Sequence, residues 1–574
     1  MSMEKTSIWK TSKFLKALFF SLYILSKMFK ENDDYSSRSP LYATNGVCSS
    51  SQPLASQVGI DILKRGGNAA DAAVAMAAVM NLTQPCSTGI GGDCFMIYYD
   101  AKTKEIHGMN GSGRAPEALT LQLVKEKGIT GDCLPPYSAL TVTVPGAAAA
   151  WCDTIEKFGS GKLTMTDILT PAIEYCELGV PIQSKTSMWW EASMDQLMTG
   201  PHSSELLING QPPKPGQIFK NPNLAKTFKL LASKGKDGFY KGEIANEIVK
   251  VIKELGGVLS LKDLENHKTT FDKPIHINYR GYDIFEIPPN GQGITALLAL
   301  NLLEEYKLSE MNPYSKEHLH LLIESLRISF SDTRYYVADP AFYDAPLDKM
   351  LSKEYARERR KLVDKEKCNK NVEKGYPANS SNTIYLTAVD RDGNACSFIN
   401  SNYMSFGTGI IPKGCGFTLQ NRGANFSLDP SHPNSLQPNK RPYHTIIPGM
   451  ILKDGQLFAS FGSMGGFIQP QSHVQLIVNL IDHKMDPQAA INFPKFMISD
   501  GESNGRIIFE DGHQEENIKG LEKMGHNVQL GPVKGHDRRI FGNGQIIVQL
   551  TDENQNRIYC SGTDNRCDGI SSIY

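Results

Sequence analysis

Few residues in this 574-residue chain stand in a pattern that performs chemistry unaided. The 11 cysteines are scattered, and no CxxC pair, HExxH or carboxylate-rich loop offers the ligand spacing of a metal site, so neither metal nor cofactor is expected. Cys86 and Cys94 flank a glycine-rich turn and read as small buried thiols, while Cys560 and Cys567 could pair in an oxidising compartment. Thr383 opens the alternating run TIYLTAVD, with no His/Asp arrangement nearby to activate its hydroxyl. On type and spacing alone it is a β-former on a half-buried surface. The glycines of GSMGG read as a hairpin-to-helix turn, and Arg114 as a solvated cation.

The elements around these residues are easier to read. SQPLASQVGIDILKRGG (from Ser51) predicts a helix stopped at Gly66 and Gly67, and the alanine-rich 69–83 a helix buried on most sides. FMIYYDAKTKEIHGMNG reads as strand, polar turn, strand. From about 150 to 350 the patterning is mainly helical, with YRGYDIFEIPP inserting a strand. Residues 363–381 are polar and lysine-rich and read as an exposed, mobile connector. Beyond it, TIYLTAVD with ACSFIN, GMILKDGQLFASFG, and GNGQIIVQLTDENQNRIYCSG predict three hairpins, with an amphipathic helix over 469–485. Strand pairs separated by helices predict an α+β sandwich around antiparallel sheets.

Composition is that of a globular protein, 40% apolar and 21% charged, with a formal charge of -1. No basic stripe interleaved with aromatics is present, so no nucleic-acid partner is expected. The first 40 residues form a variable extension. Lys5, Lys10, Lys13 and Lys16 precede the apolar run 17–25, too short to span a bilayer, which takes about 20 residues. The 13–30 segment fits either a signal peptide without a small-x-small cleavage site or an amphipathic or disordered extension, leaving cytoplasmic and secreted locations both open.

Eight segments, taken together and in order, resemble the gamma-glutamyltransferase (glutathione hydrolase) family. They are GGNAADAAVA (66–75), PCSTGIGGDCF (85–95), NGSGRAP (110–116), TVPG (143–146), NTIYLTAVDRDGNA (382–395), FGTGI (406–410), NKRP (439–442) and GSMGG (462–466). The resemblance implies an Ntn-hydrolase fold, a four-layer αββα sandwich built from two subunits cut from one proenzyme. The cut maps between Asn382 and Thr383, giving a large subunit of 41–382 and a small subunit of 383–574 that pair as a heterodimer. Thr383 would be the nucleophile. Its new α-amine, with an ordinary pKa of about 7.7 to 8, can act as base near neutral pH, so no His/Asp pair is needed. The resemblance further assigns the oxyanion amides to Gly465 and Gly466, carboxylate binding to Arg114, and a hydroxyl touching the threonine's amine to Ser401.

Other positions depart from the family pattern. The aspartate that holds the substrate's ammonium falls on Asn425, which supplies no countercharge. The neighbouring glutamine is Arg422, whose charge disfavours an ammonium. An asparagine near the nucleophile aligns with Tyr403, next to Asn402, and the paired carboxylate-binding serines become His444 and Thr445. The expected activity is cleavage or transfer of γ-glutamyl groups from glutathione and related amides to water or an amino-acid acceptor. The alternatives are an amidase for other side-chain amides, such as glutaryl amides, and a processed binding protein without catalysis.

Overall fold

The computed structural model describes residues 38–370, 382–502 and 505–574. The apolar run 17–25 and residues 371–381 of the connector lie outside them. Two antiparallel sheets form the middle of the molecule. The six-stranded sheet runs, edge to edge, through Ile570–Ile573, Val47–Ser50, Asn382–Val389, Ala395–Tyr403, Asp93–Asp100 and Glu105–Gly111. The seven-stranded sheet runs through Leu41–Ala43, Arg557–Thr563, Gly544–Thr551, Gln456–Ser463, Pro448–Lys453, Tyr282–Glu286 and Ile275–Tyr279. YRGYDIFEIPP, read as one strand, therefore spans the turn of a hairpin, with Tyr279 opposite Tyr282.

Period-two alternation decides which face each residue serves. Along Asn382–Val389, Ile384, Leu386 and Ala388 join the core under the alanine-rich helix Ala69–Thr83, while Tyr385 and Val389 join the core between the sheets. All fifteen residues of that helix are buried, as its composition predicts; Asn68 and Asp71 close a reciprocal cap at its N-terminus. On the far side, the helices Gly293–Leu303, Lys316–Tyr336 and Ile468–Ile481 cover the seven-stranded sheet through Ile284, Ile451, Ala459, Ile546 and Val548. The result is four layers, helix–sheet–sheet–helix. The helix Ile468–Ile481 is not amphipathic in its setting: every residue is buried, because other helices and the Phe496–Ile498 strand pack on its outer side.

Polar residues also cross between the sheets. Thr387 Oγ1 meets Ser460 Oγ at 2.6 Å and Ser49 Oγ donates to Gln545 Oε1 at 2.8 Å. Such buried pairs fix the register of one sheet against the other, since each group is costly to leave unmatched. The 11 cysteines are all free thiols, so the pairing of Cys560 with Cys567 does not form; Cys560 lies within a strand and Cys567 donates to the carbonyl of Asp564. The described part of the connector is mostly exposed, but Cys368 is buried and its amide is bound by the carbonyl of Met524 at 2.7 Å.

Candidate active site

The strand beginning at Asn382 pairs with Ala395–Tyr403 in plain register from Val389 back to Ile384, opposite Asn400. There the register shifts: Asn382 faces Tyr403, so the partner strand carries an extra residue across from Thr383. A β-bulge of this kind re-aims side chains. Here it brings Ser401 Oγ within 3.0 Å of Thr383 Oγ1, with both residues buried. Gly92 makes room for the bulge. A Cβ on it would stand 2.2 Å from the carbonyl oxygen of Ser401 and 2.5 Å from Asn402 Oδ1.

Ser401 Oγ accepts from the amide of Tyr403 at 2.9 Å and from Arg422 Nη2 at 3.2 Å. A hydroxyl has two lone pairs and one proton. With both lone pairs engaged, Ser401 is favoured as the donor toward Thr383, which leaves the Thr383 proton available to a base.

Arg422 is fully buried and stacks over the Tyr403 ring at 4.3 Å, and its Nη1 donates to Thr445 Oγ1 at 2.7 Å. Its Nε has no hydrogen-bond partner. Burial pulls its pKa down to about 10, opposed by the charge of Asp93. Asp93 Oδ1 accepts from the amide of Gly113 and from Gln420 Nε2, both at 2.9 Å, and Oδ2 lies 3.0 Å from His444 Nε2. Burial pushes Asp93 up to about 7, against Arg422, and drives His444 well below its ordinary value, aided by Arg422 and Arg441. His444 is therefore neutral at pH 7, and its contact with Asp93 is a hydrogen bond rather than an ion pair.

Gln292 Nε2 ties this group to the glycine turn, donating to the carbonyls of Thr445 at 2.7 Å and Gly466 at 3.0 Å. Gly465 and Gly466 have φ of 120° and 67°, in the region that favours glycine. Among the described residues, no backbone carbonyl accepts from either amide.

Thr383, Ser401, Tyr403, Arg422 and Thr445 thus form one contiguous set, with His444 beside it through Asp93. Three expected residues behave differently. Arg114 is half-buried and donates to the carbonyl of Lys268 at 3.3 Å. Asn402 gives its amide to Thr418 Oγ1, and Asn425 gives its own to the carbonyl of Tyr443 at 3.1 Å; in both, Oδ1 is unpartnered. Sequence reasoning missed Asp93 and Gln292. Asp93 had a signal, a lone carboxylate between a glycine pair and an apolar strand in GGDCF; Gln292, in a turn, had none.

Residues 55–574 match the family described as Gamma-glutamyltranspeptidase. The chain belongs to this family. It is therefore an Ntn-hydrolase proenzyme, and its four layers are those expected from the resemblance. It is 36% identical over 530 residues to the glutathione hydrolase-like YwrD proenzyme of Bacillus subtilis, covering 90% of this chain and 96% of that protein. A glutathione hydrolase proenzyme of the same organism is 34% identical over 512 residues, covering 85% and 86%. The cephalosporin acylase of Bacillus halodurans superposes with a TM-score of 0.86 at 39% identity, covering 95% of this chain and 98% of that one. Gamma-glutamyltranspeptidase family members of both kinds, glutathione hydrolase and acylase by name, thus resemble the chain over nearly its whole length.

Proposed function

We propose that the chain cuts itself between Asn382 and Thr383 and then hydrolyses or transfers acyl groups from side-chain amides through an ester on Thr383. In processing, Thr383 Oγ attacks the carbonyl carbon of Asn382, the peptide C–N bond breaks as the ester forms, and water releases residues 1–382 from 383–574. In turnover, the freed α-amine takes the Oγ proton, Oγ attacks the substrate carbonyl, and the amides of Gly465 and Gly466 receive the oxyanion. The resulting ammonium returns the proton to the departing amine, and water or an acceptor amine then attacks the ester. The observation that carries this reading is the 3.0 Å contact between Thr383 Oγ1 and a Ser401 already held by two donors.

γ-Glutamyl amides, glutathione among them, are the first candidates for the acyl donor, and one observation favours a second class. Buried Arg422, bonded to the Ser401 that touches the nucleophile, has an unpartnered Nε, and Asn425 offers no charge to an ammonium. An acyl chain ending in a carboxylate and lacking an ammonium, such as a glutaryl group, suits that guanidinium.

A denaturing gel of wild type beside Thr383→Ala tests the nucleophile. The 63.4 kDa chain should give fragments of about 42 and about 21 kDa, and the variant a single band, because an N-terminal nucleophile is freed only by its own attack. An uncut wild type refutes the proposal. Mass spectrometry of the small fragment after exposure to γ-glutamyl and glutaryl p-nitroanilides then shows which acyl group is left on Thr383.

A further inference from the structure

Two successive glycines with positive φ make the softest stretch of a backbone, because no Cβ narrows the torsions open to them. Gly465 and Gly466 are such a pair, so the direction of their amides has to be imposed by the groups around them. The carbonyl of Gly466 is held from two sides: the Gln469 amide donates to it at 3.1 Å and Gln292 Nε2 at 3.0 Å. The first bond belongs to the opening turn of the helix Ile468–Ile481. The second comes from the other side of Asn382 in the chain.

Gln292 is built as a bridge. Its side chain is fully buried, and both amide hydrogens are committed, one to the Gly466 carbonyl and one to the Thr445 carbonyl at 2.7 Å. Its Oε1 accepts from the Tyr443 hydroxyl at 3.0 Å, which fixes the end of the amide that faces the two carbonyls. Its backbone is pinned as well: its own amide donates to the His444 carbonyl at 3.0 Å, and the His444 amide to the Asn290 carbonyl at 2.8 Å. All three partners of the side chain lie beyond residue 382. Thr445 Oγ1 in turn accepts from Arg422, whose Nη2 reaches the Ser401 that touches Thr383. One side chain from before the proposed cut therefore sets the spacing between the glycine turn and the group around the nucleophile.

We propose that Gln292 is a positioning residue: it aims the amides of Gly465 and Gly466 at the oxyanion formed when Thr383 attacks, and does so from the opposite fragment once the chain is cut. This rests on the acyl-transfer reading above. None of the hydrogen bonds of its side chain reaches Thr383, so it acts only through the turn. Donors aimed at an oxyanion lose strength steeply with angle, and a misplacement of 1 Å can cost roughly 10²-fold in rate. The uncharged carbonyl of a bound substrate loses little from the same error. A failed brace therefore lowers kcat and leaves KM in place.

Two variants test the brace at different strengths. Gln292→Met keeps the length of the side chain and removes both donors; Tyr443→Phe removes only the hydroxyl that orients the amide. Each is read in cut protein on the p-nitroanilide that wild type hydrolyses, γ-glutamyl or glutaryl. Each is also titrated with the matching boronic acid, 2-amino-4-boronobutanoate or 4-boronobutanoate, which bonds to the Thr383 hydroxyl as a tetrahedral anion. In Gln292→Met, kcat should fall about 10- to 100-fold, and in Tyr443→Phe by less, with KM within twofold of wild type in both. Boronate affinity should fall by the same factor as kcat, while affinity for the product acid, glutamate or glutarate, stays within twofold. A purely structural loss would not make kcat and boronate affinity fall together while sparing the product acid. Unchanged kcat in Gln292→Met, or loss of the product acid along with the boronate, would overturn the proposal. A cut wild type that binds neither boronate and turns over no amide would instead fault the acyl-transfer reading, and the turn would then have no oxyanion to receive.

Discussion

On the proposed acyl-transfer reading, Arg422 should divide the two substrate classes at the scale of a single side chain. Replacing it with Gln removes the buried charge while keeping a donor near Thr445. A hydrogen bond to a charged group is worth about 1.5 to 3 kcal/mol. Glutaryl p-nitroanilide should therefore lose roughly 10- to 100-fold in kcat/KM, with γ-glutamyl p-nitroanilide changed far less; equal losses on both would mean that Arg422 only braces Ser401. Asn425→Asp is the complementary test and should raise activity on the γ-glutamyl substrate. Asp93 gives a prediction in pH. Its carboxyl, raised to about 7 by burial, is neutral in the folded chain where the unfolded chain has already lost its proton. The folded state then binds more protons between the ordinary carboxylate pKa and about 7, so stability from this group is full below that window and is lost as pH rises through it. Asp93→Asn, in the uncut Thr383→Ala background, should abolish that loss. Its melting temperature relative to the parent should be higher by a few degrees at pH 8 and little changed at pH 4.

Among the elements, the bulge at Ser401 and Asn402 decides the geometry. Gly92→Ala would push a methyl group into the Ser401 carbonyl, and overpacking of this sort typically costs about 1 to 3 kcal/mol. Autoprocessing should slow by at least tenfold while circular dichroism stays that of the wild type; full-speed cleavage would show that the bulge tolerates displacement. Such a feature marks the limit of what sequence patterning reveals. The hairpin itself was legible from TIYLTAVD and ACSFIN, because alternation reports which face a residue serves. A one-residue register shift leaves no trace in alternation that short, so the contact between Thr383 and Ser401 could be expected only from resemblance. Burial on both sides hides in a similar way: the 469–485 segment shows an apolar stripe, yet its polar Gln471, Ser472, His473 and Gln475 are enclosed as well. His473 meets Glu286 at 2.6 Å, a partner 187 residues away that no local pattern could name. Asp93 went unnoticed in the sequence and His444 stood only as a departure from the family pattern; their link appears once the fold sets them 3.0 Å apart.

For the whole molecule, the decisive fact is that residues on the two sides of Asn382 share both sheets. The Asn382–Val389 strand lies between Val47–Ser50 and Ala395–Tyr403, while Pro448–Lys453 pairs with Tyr282–Glu286. The two fragments should therefore coelute in gel filtration in high salt as well as low, because the shared surface is mainly apolar core, with ion pairs such as Arg280–Asp482 a minor part of it. They should part only at denaturant concentrations that also abolish secondary structure, and separation by salt alone would refute that account. Placing the strand's first residues inside a sheet has a further effect on timing. On the proposed cut, the adjacent hydroxyl and carbonyl are held in line for attack only after strands from both ends of the chain have assembled around them. A chain that stalls partway in folding keeps Thr383 as an inner residue with no amine to offer. If the proposed cut occurs, each molecule carries a permanent, covalent record of whether it ever reached the native arrangement, and a pool of uncut chains measures misfolding without any assay of activity.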